Sequence, residues 1–207
     1  MPTVSQTTHE KLLLEATALF ARRGYGGASM SEIAERVGVR KASLYNYYDS
    51  KADLLMDLLG RSLAAWEMAS RPALEGPGTT EERLGAYLKA ATAFADRNPQ
   101  AVGIVRMAAT QVGGELRGQV NDLLTEHEQA SRGRVVDFFA EAVEKGEIEP
   151  AAPEELALFL ATFLHGLLIS QIFATSRAHE FKDHLPQLWE FFWRGVSGRK
   201  PQMEFER

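Results

Sequence analysis

Five side chains within seven positions, Lys41, Ser43, Tyr45, Asn46 and Tyr47, carry the clearest chemistry in this chain. Lysine, serine and tyrosine donate to phosphate oxygens, and asparagine offers the paired donor and acceptor that match an adenine edge. This is recognition by charge and hydrogen bonding, with no bond broken. A catalytic alternative has no matching pattern: there is no nucleophile–base pair, H-x-x-x-H, paired-carboxylate or phosphate-loop signature, and Gly113-Gly114 reads as a turn. Cysteine is absent, and His9, His127, His165, His179 and His184 do not form a metal-spaced set. The expectation is a protein that is not an enzyme and has no metal and no cofactor.

Such side chains need a helix that is held on one face and free on the other. Ser29-Met30-Ser31-Glu32 has the capping-box pattern and predicts a helix to about Val37, and Gly38 permits a turn with positive φ. A further helix over 41–48 would turn Val39, Leu44 and Tyr48 inward against Ile33, Ala34 and Val37, leaving the polar set outside. Lys51 then falls in the first turn of the next helix, where free backbone N–H groups also receive phosphate. Two short helices about a glycine turn can lay one helix in the DNA major groove.

The runs LLLEATALFARRGY (12–25), SMSEIAERVGV (29–39) and LYNYYDSKADLL (44–55), in this order and spacing, resemble the N-terminal domain of TetR/AcrR-like transcriptional regulators. The resemblance implies that Tyr45 and Tyr47 contact DNA backbone or bases, with Lys41, Ala42 and Ser43 at the groove-facing start of the recognition helix. Ser29 and Ser31 would approach from the preceding helix, and Lys51 would take a phosphate. Three positions depart from the family pattern. Arg40 stands where a capping Ser or Thr is frequent, removing a cap of about 1 kcal/mol and adding a cation that can reach DNA. Tyr47-Tyr48 replaces a frequent His-Phe pair, and Asn46 lies at a variable position.

The rest of the chain also reads as helix, so the fold class is all-α with about nine helices. Thr7-Thr8-His9-Glu10 caps a first helix stopped by Gly24, and helices are expected over 51–68, 79–96, 99 onward, 115–145, from Pro153, and 181–196. The Pro- and Gly-dense stretch 71–80 is the expected loop, and the polar tail 197–207 is expected to fray. Residues 1–51 are read as the helix-turn-helix domain and 52–207 as a ligand-sensing and dimerisation domain. Charge divides the same way: 7 Lys+Arg against 5 acids in residues 1–51, and 16 against 23 beyond. A basic head on an acidic body suits local contact with a polyanion.

In the body, residues 156–173 form an eighteen-residue run without acid, Lys or Arg. Thr162, His165, Ser170 and Gln171 interrupt it and no Lys/Arg cluster flanks it, so a helix covered on two sides is favoured over a membrane span. The resemblance points to a two-fold dimer through the last two large helices, using Leu156, Phe159, Leu160, Phe163, Leu167, Leu185, Leu188, Trp189 and Phe192. Such a dimer sets two recognition helices roughly 34–36 Å apart over a palindromic operator. Candidate lining for a pocket accepting an effector of apolar character is Trp66, Tyr87, Phe94, Met107, Phe138, Phe163 and His165. The N-terminus lacks a secretory pattern, so a cytoplasmic, nucleoid-associated protein is expected. The reading is a homodimeric repressor of double-stranded DNA released by a small molecule. The alternatives are an activator, a ligand-independent regulator, and a helical carrier or enzyme.

Overall fold

The computed structural model describes residues 7–173 and 178–198, except for the side chains of 168–173 and 178–182. Among the described residues all regular structure is helical: α1 (Thr8–Gly27), α2 (Met30–Val37), α3 (Lys41–Leu44), α4 (Lys51–Glu75), α5 (Thr80–Arg97), α6 (Pro99–Gln111), α7 (Leu116–Glu144), α8 (Pro153–Phe173) and α9 (Ala178–Ser197). They gather into two compact units. The first comprises residues 1–67 and 96–128, the second 68–95 and 129–207.

In the first unit, Leu12, Ala16, Leu19 and Phe20 of α1 are fully buried against Ile33 of α2, Leu44 of α3, Leu54, Leu55 and Leu59 of α4, and Ile104 of α6. Each large apolar side chain so covered contributes about 1.5–3 kcal/mol. A full capping box closes the start of α1, where Thr7 Oγ1 accepts from Glu10 N and Glu10 accepts from Thr7 N. Gly24 does not end α1 as expected. It takes φ 69, ψ 174 as a kink, and helix continues to Gly27. A Cβ there would lie 2.5 Å from Oε1 of Gln111, the movable end of an exposed side chain on α6, so it is the conformation that requires glycine.

In the second unit, Leu84, Tyr87, Leu88, Ala91 and Phe94 of α5 are buried with Val135, Phe138, Phe139 and Ala142 of α7, Ile148, and Leu156, Ala157, Leu160, Leu164 and Leu167 of α8. Phe192 of α9 stacks on Phe159 and Phe163, with ring centroids 5.0 and 4.6 Å apart. Glu147 accepts from Thr80 N at 2.6 Å, joining the connection after α7 to the start of α5.

Several helix limits differ from expectation. α4 continues to Glu75, seven residues beyond the expected end, so the loop shrinks to 76–79. Pro72 is carried inside the helix because burial of Leu74 and the Arg71–Glu75 pair at 2.7 Å hold the last turn. α3 is one turn, not two: after Leu44 the chain passes into a turn in which Tyr47 N and Tyr48 N both donate to Leu44 O. α9 begins at Ala178, three residues early. Of the tail expected to fray, 197–207, Ser197 still belongs to α9 and donates to Trp193 O at 2.7 Å, and residues 199–207 lie outside the described residues. Among the described residues, no helix is long and apolar enough to cross a membrane.

Candidate nucleic-acid interface

The turn between α2 and α3 is built from short-range bonds. Ser29 caps α2 by accepting from Glu32 N, and Gly38 at φ 83 returns its N–H to Ala34 and Glu35 carbonyls. Glu32 does not complete the box. Its carboxylate pairs with Arg23 at 2.9 Å and Arg36 at 3.5 Å. Lys11 Nζ donates to Val37 O at 2.8 Å, satisfying a carbonyl at the open end of α2.

α3 is anchored as its sequence requires. Leu44 is fully buried, Tyr48 is 9% exposed, and Val39 packs at the edge of the core. Opposite them Ser31, Arg40, Lys41, Ala42, Tyr45, Asn46 and Tyr47 are exposed and Ser43 is half-buried. Tyr45 and Tyr47 expose 43% and 46% of their surface, uncommon for aromatics without a partner to cover them. Lys41 Nζ lies 5.9 Å from the Tyr45 ring centroid. Arg40 makes no side-chain cap. The charge of this unit is thereby sorted: Lys11, Arg23 and Arg36 are engaged internally, while Arg40 and Lys41 at the start of α3 meet no carboxylate among the described residues.

Lys51, expected to take a phosphate, is also engaged by its own fold. Its Nζ donates to Tyr25 O at 2.8 Å and Ala28 O at 3.1 Å and lies 4.2 Å from the Tyr25 ring centroid. Burial lowers its pKa from the ordinary lysine value. Two of its three N–H groups are committed to the fold, leaving one.

Sequence reading also missed a polar chain beneath Tyr47. Tyr48 Oη donates to Asp57 at 2.5 Å, Arg61 Nε donates to the same carboxylate oxygen at 2.9 Å, and His9 Nε2 lies 2.9 Å from Tyr48 Oη. Burial, then the bond to Asp57, push the Tyr48 phenol far above its ordinary value. Burial opposes ionisation of Asp57, yet hydrogen bonds from Tyr48 and Arg61 hold it below the usual carboxylate value. The hydroxyl that distinguishes Tyr48 from the phenylalanine frequent in the resembling family was the available signal.

The other expected sites are dispersed. Tyr87, Phe94 and Phe138 are buried and Phe163 half-buried in the second unit, but Met107 belongs to the core of the first and Trp66 is half-buried there. His165 is exposed on α8, not turned into an interior. A cleft of about 210 Å³ in the second unit is lined by Arg71, Leu74, Glu75, Arg83, Arg134, Asp137, Phe138 and Glu141. Of the seven expected lining residues only Phe138 borders it, and its volume is below the roughly 300–1,000 Å³ usual for ligand pockets. On α8 and α9, Leu156, Leu160, Leu167 and Phe192 are covered by their own chain. Leu158, Phe159 and Phe191 expose apolar surface at 65%, 45% and 68%. Leu185, Leu188 and Trp189 are half-buried.

An all-helical body joined to a head that presents one short helix, cationic at its start and aromatic at its end, defines a DNA-binding transcriptional regulator. Residues 12–58 match the family model described as bacterial regulatory proteins, tetR family. Residues 12–58 thus carry the DNA-binding domain that this family model describes, and the chain is similar to regulators of that kind. It is 34% identical over 95 residues to the transcriptional activator FasR of Mycolicibacterium smegmatis, a match covering 46% of this chain and 43% of FasR. It is 27% identical over 172 residues to the transcriptional repressor KstR of the same organism, covering 82% and 78%. Among solved structures, AibR in complex with isovaleryl coenzyme A and operator DNA shares the fold with TM-score 0.69 at 21% identity, over 90% of this chain and 98% of that one.

Proposed function

We propose that this regulator is a repressor that binds a palindromic operator as a homodimer and leaves it when a small molecule of apolar character occupies the body. The observation that carries the DNA-contact surface is the outer face of α3 and the turn after it, where Arg40, Lys41, Ala42, Tyr45, Asn46 and Tyr47 are exposed and Ser43 half-buried, with Ser29 at the N-cap of α2 and Ser31 in its first turn also exposed. Lys51 keeps one donor for a phosphate while its other two position the start of α4. In function the chain divides into a reading head, residues 1–51, and a sensing and pairing body, residues 52–207. It works in the cytoplasm, on the nucleoid, and performs no catalysis.

Repression is supported by KstR, which matches across most of both chains, whereas the match to the activator FasR covers less than half of each. A ligand with an apolar acyl portion, such as an acyl thioester, is supported by AibR, whose structure holds isovaleryl coenzyme A and operator DNA. Exposed Leu158, Phe159 and Phe191 support pairing through α8 and α9. Ligand binding would favour a dimer geometry whose two recognition helices no longer fit successive grooves.

The test is a fluorescence-anisotropy titration with duplex DNA from upstream of the protein's own gene. Wild type is expected to bind in the nanomolar range with strong salt dependence, and Tyr45→Ala and Lys41→Ala to weaken binding at least tenfold. Unchanged affinity in both variants refutes the assigned face.

A further inference from the structure

We propose that His9 and Tyr48 are positioning residues for DNA recognition, holding the ring of Tyr47 on the DNA-facing surface through a relay that starts from Asp57 and Arg61 on α4. The relay rests on the reading that Tyr47 contacts DNA.

The Tyr47 ring lies against the His9 imidazole, with centroids 5.3 Å apart and planes inclined by 21°. His9 also stacks on Tyr48, at 5.9 Å and 23°, so one imidazole is shared between a buried and an exposed tyrosine. Its orientation follows from hydrogen-bond accounting. Arg61 donates to the Asp57 carboxylate, which in turn accepts the only Tyr48 O–H. The Tyr48 oxygen is then left as an acceptor, and His9 Nε2 at 2.9 Å must be the protonated nitrogen that donates to it. This fixes both the tautomer and the plane of the ring on which Tyr47 rests.

Tyr47 needs such support. Its main chain is in the turn after α3, its side chain is nearly half exposed, and the imidazole supplies a ring contact. An exposed tyrosine otherwise samples several rotamers, and binding DNA would cost about 0.5–1.5 kcal/mol to choose one. A prepositioned ring avoids that cost. Because the anchor lies one to three turns into α4, the helix that follows the reading element, a change in α4 reaches Tyr47 through side chains as well as through the backbone.

The experiment measures affinity for a labelled duplex recovered by the wild-type protein from a random-sequence pool. Wild type, Tyr48→Phe and His9→Ala are each compared with and without Tyr47→Ala. Tyr48→Phe retains the buried ring and removes only the oxygen, and His9→Ala disturbs the other end of the relay without touching Asp57. Each is expected to weaken binding roughly 2- to 10-fold, the equivalent of one freed rotamer. In the Tyr47→Ala background the same changes are expected to have almost no effect, because the ring they position is gone. A general loss of structure would instead give equal losses in both backgrounds, and that result overturns the proposal. So does a loss with Tyr47→Ala accompanied by none with either partner. No loss with Tyr47→Ala refutes the DNA-contact role of Tyr47 itself, a failure distinguishable from that of the relay.

Discussion

The ammonium of Lys51 sits 4.2 Å from the centre of the Tyr25 ring while donating to the Tyr25 carbonyl. One side chain thus ties the first turn of α4 to the end of α1, and a second bond, to Ala28 O, reaches the connection into α2. Removing it leaves two part-buried carbonyls without their donor and a tyrosine face without its cation. Lys51→Met keeps the aliphatic stem and is expected to cost about 2 kcal/mol, lowering the thermal midpoint by roughly 4–8 °C. The measurement is thermal unfolding by circular dichroism. Any accompanying loss of DNA affinity is expected to shrink when binding is measured well below that midpoint. An unchanged midpoint with lost affinity would return Lys51 to the role of a simple phosphate contact.

Gly24 is tested by backbone strain. Its φ of 69 with ψ 174 lies where a Cβ is strongly disfavoured, and the added carbon would meet Gln111 Oε1. Gly24→Ala is expected to destabilise by about 1–3 kcal/mol. The double variant with Gln111→Ala should recover little of this, because the exposed glutamine can move whereas the dihedral cannot. Full recovery would identify steric contact, not conformation, as the constraint.

These two positions also mark where sequence reading stopped. Periodic apolar residues and local capping patterns such as Thr7–Glu10 and Thr79–Glu82 act within four residues, so the helices and most of their starts were legible. The buried face of α3 was legible for the same reason: Leu44 and Tyr48 are one turn apart. The destination of Lys51 was not, since its acceptors lie 23 and 26 residues earlier and are carbonyls that any residue type would present. His9 and Tyr48 are separated by 39 positions, and nothing local pairs them. Pro72 was read as part of a loop, but the burial of Leu74 that carries α4 past it depends on tertiary packing. His165 stood out as a polar group in an apolar helix, yet it lies on the exposed side, a distinction periodicity could not draw because apolar residues surround that helix on every face.

Asp57 gives the protein a specific acid sensitivity. Its folded-state pKa is below the ordinary value, so its contribution to stability is present above the unfolded carboxylate pKa of 3.8 and is lost as pH falls through the lower folded value. Asp57→Asn is expected to cost about 1 kcal/mol near neutrality, a charge-assisted bond reduced by partial exposure. Chemical denaturation from pH 7 down to about 3 should show the wild-type and variant curves converging at the acid end. Parallel curves throughout would remove Asp57 from the groups governing acid stability.

The exposed apolar surface of α8 and α9 predicts the fate of the dimer. Leu158 and Phe191 contact little within their own chain, so a charge there should be tolerated by the fold and resisted by a partner. Phe191→Asp is expected to leave the helical spectrum unchanged and raise the dimer dissociation constant by roughly 30-fold or more, the loss typical of an interface hot spot. Light scattering across a dilution series measures it. An unaltered dimer would place the interface elsewhere.

Arg40 separates reading DNA from building the fold, because the two roles predict opposite signs. It occupies the N-cap of α3 in the extended conformation a cap requires, φ −70 and ψ 145, but makes no side-chain bond to the first turn. Arg40→Ser supplies a side-chain oxygen for the Ala42 N–H, the Ser43 N–H being already bonded to the carbonyl of residue 40, and is expected to add up to about 1 kcal/mol, raising the thermal midpoint by roughly 2–4 °C. The same substitution removes an exposed cation from the groove-facing end of α3. If that cation neutralises one phosphate, the slope of log affinity against log salt becomes shallower by about 0.9, and affinity falls while stability rises. A structural residue would move both in the same direction. A gain in stability with an unchanged salt slope would mean that Arg40 does not neutralise a phosphate.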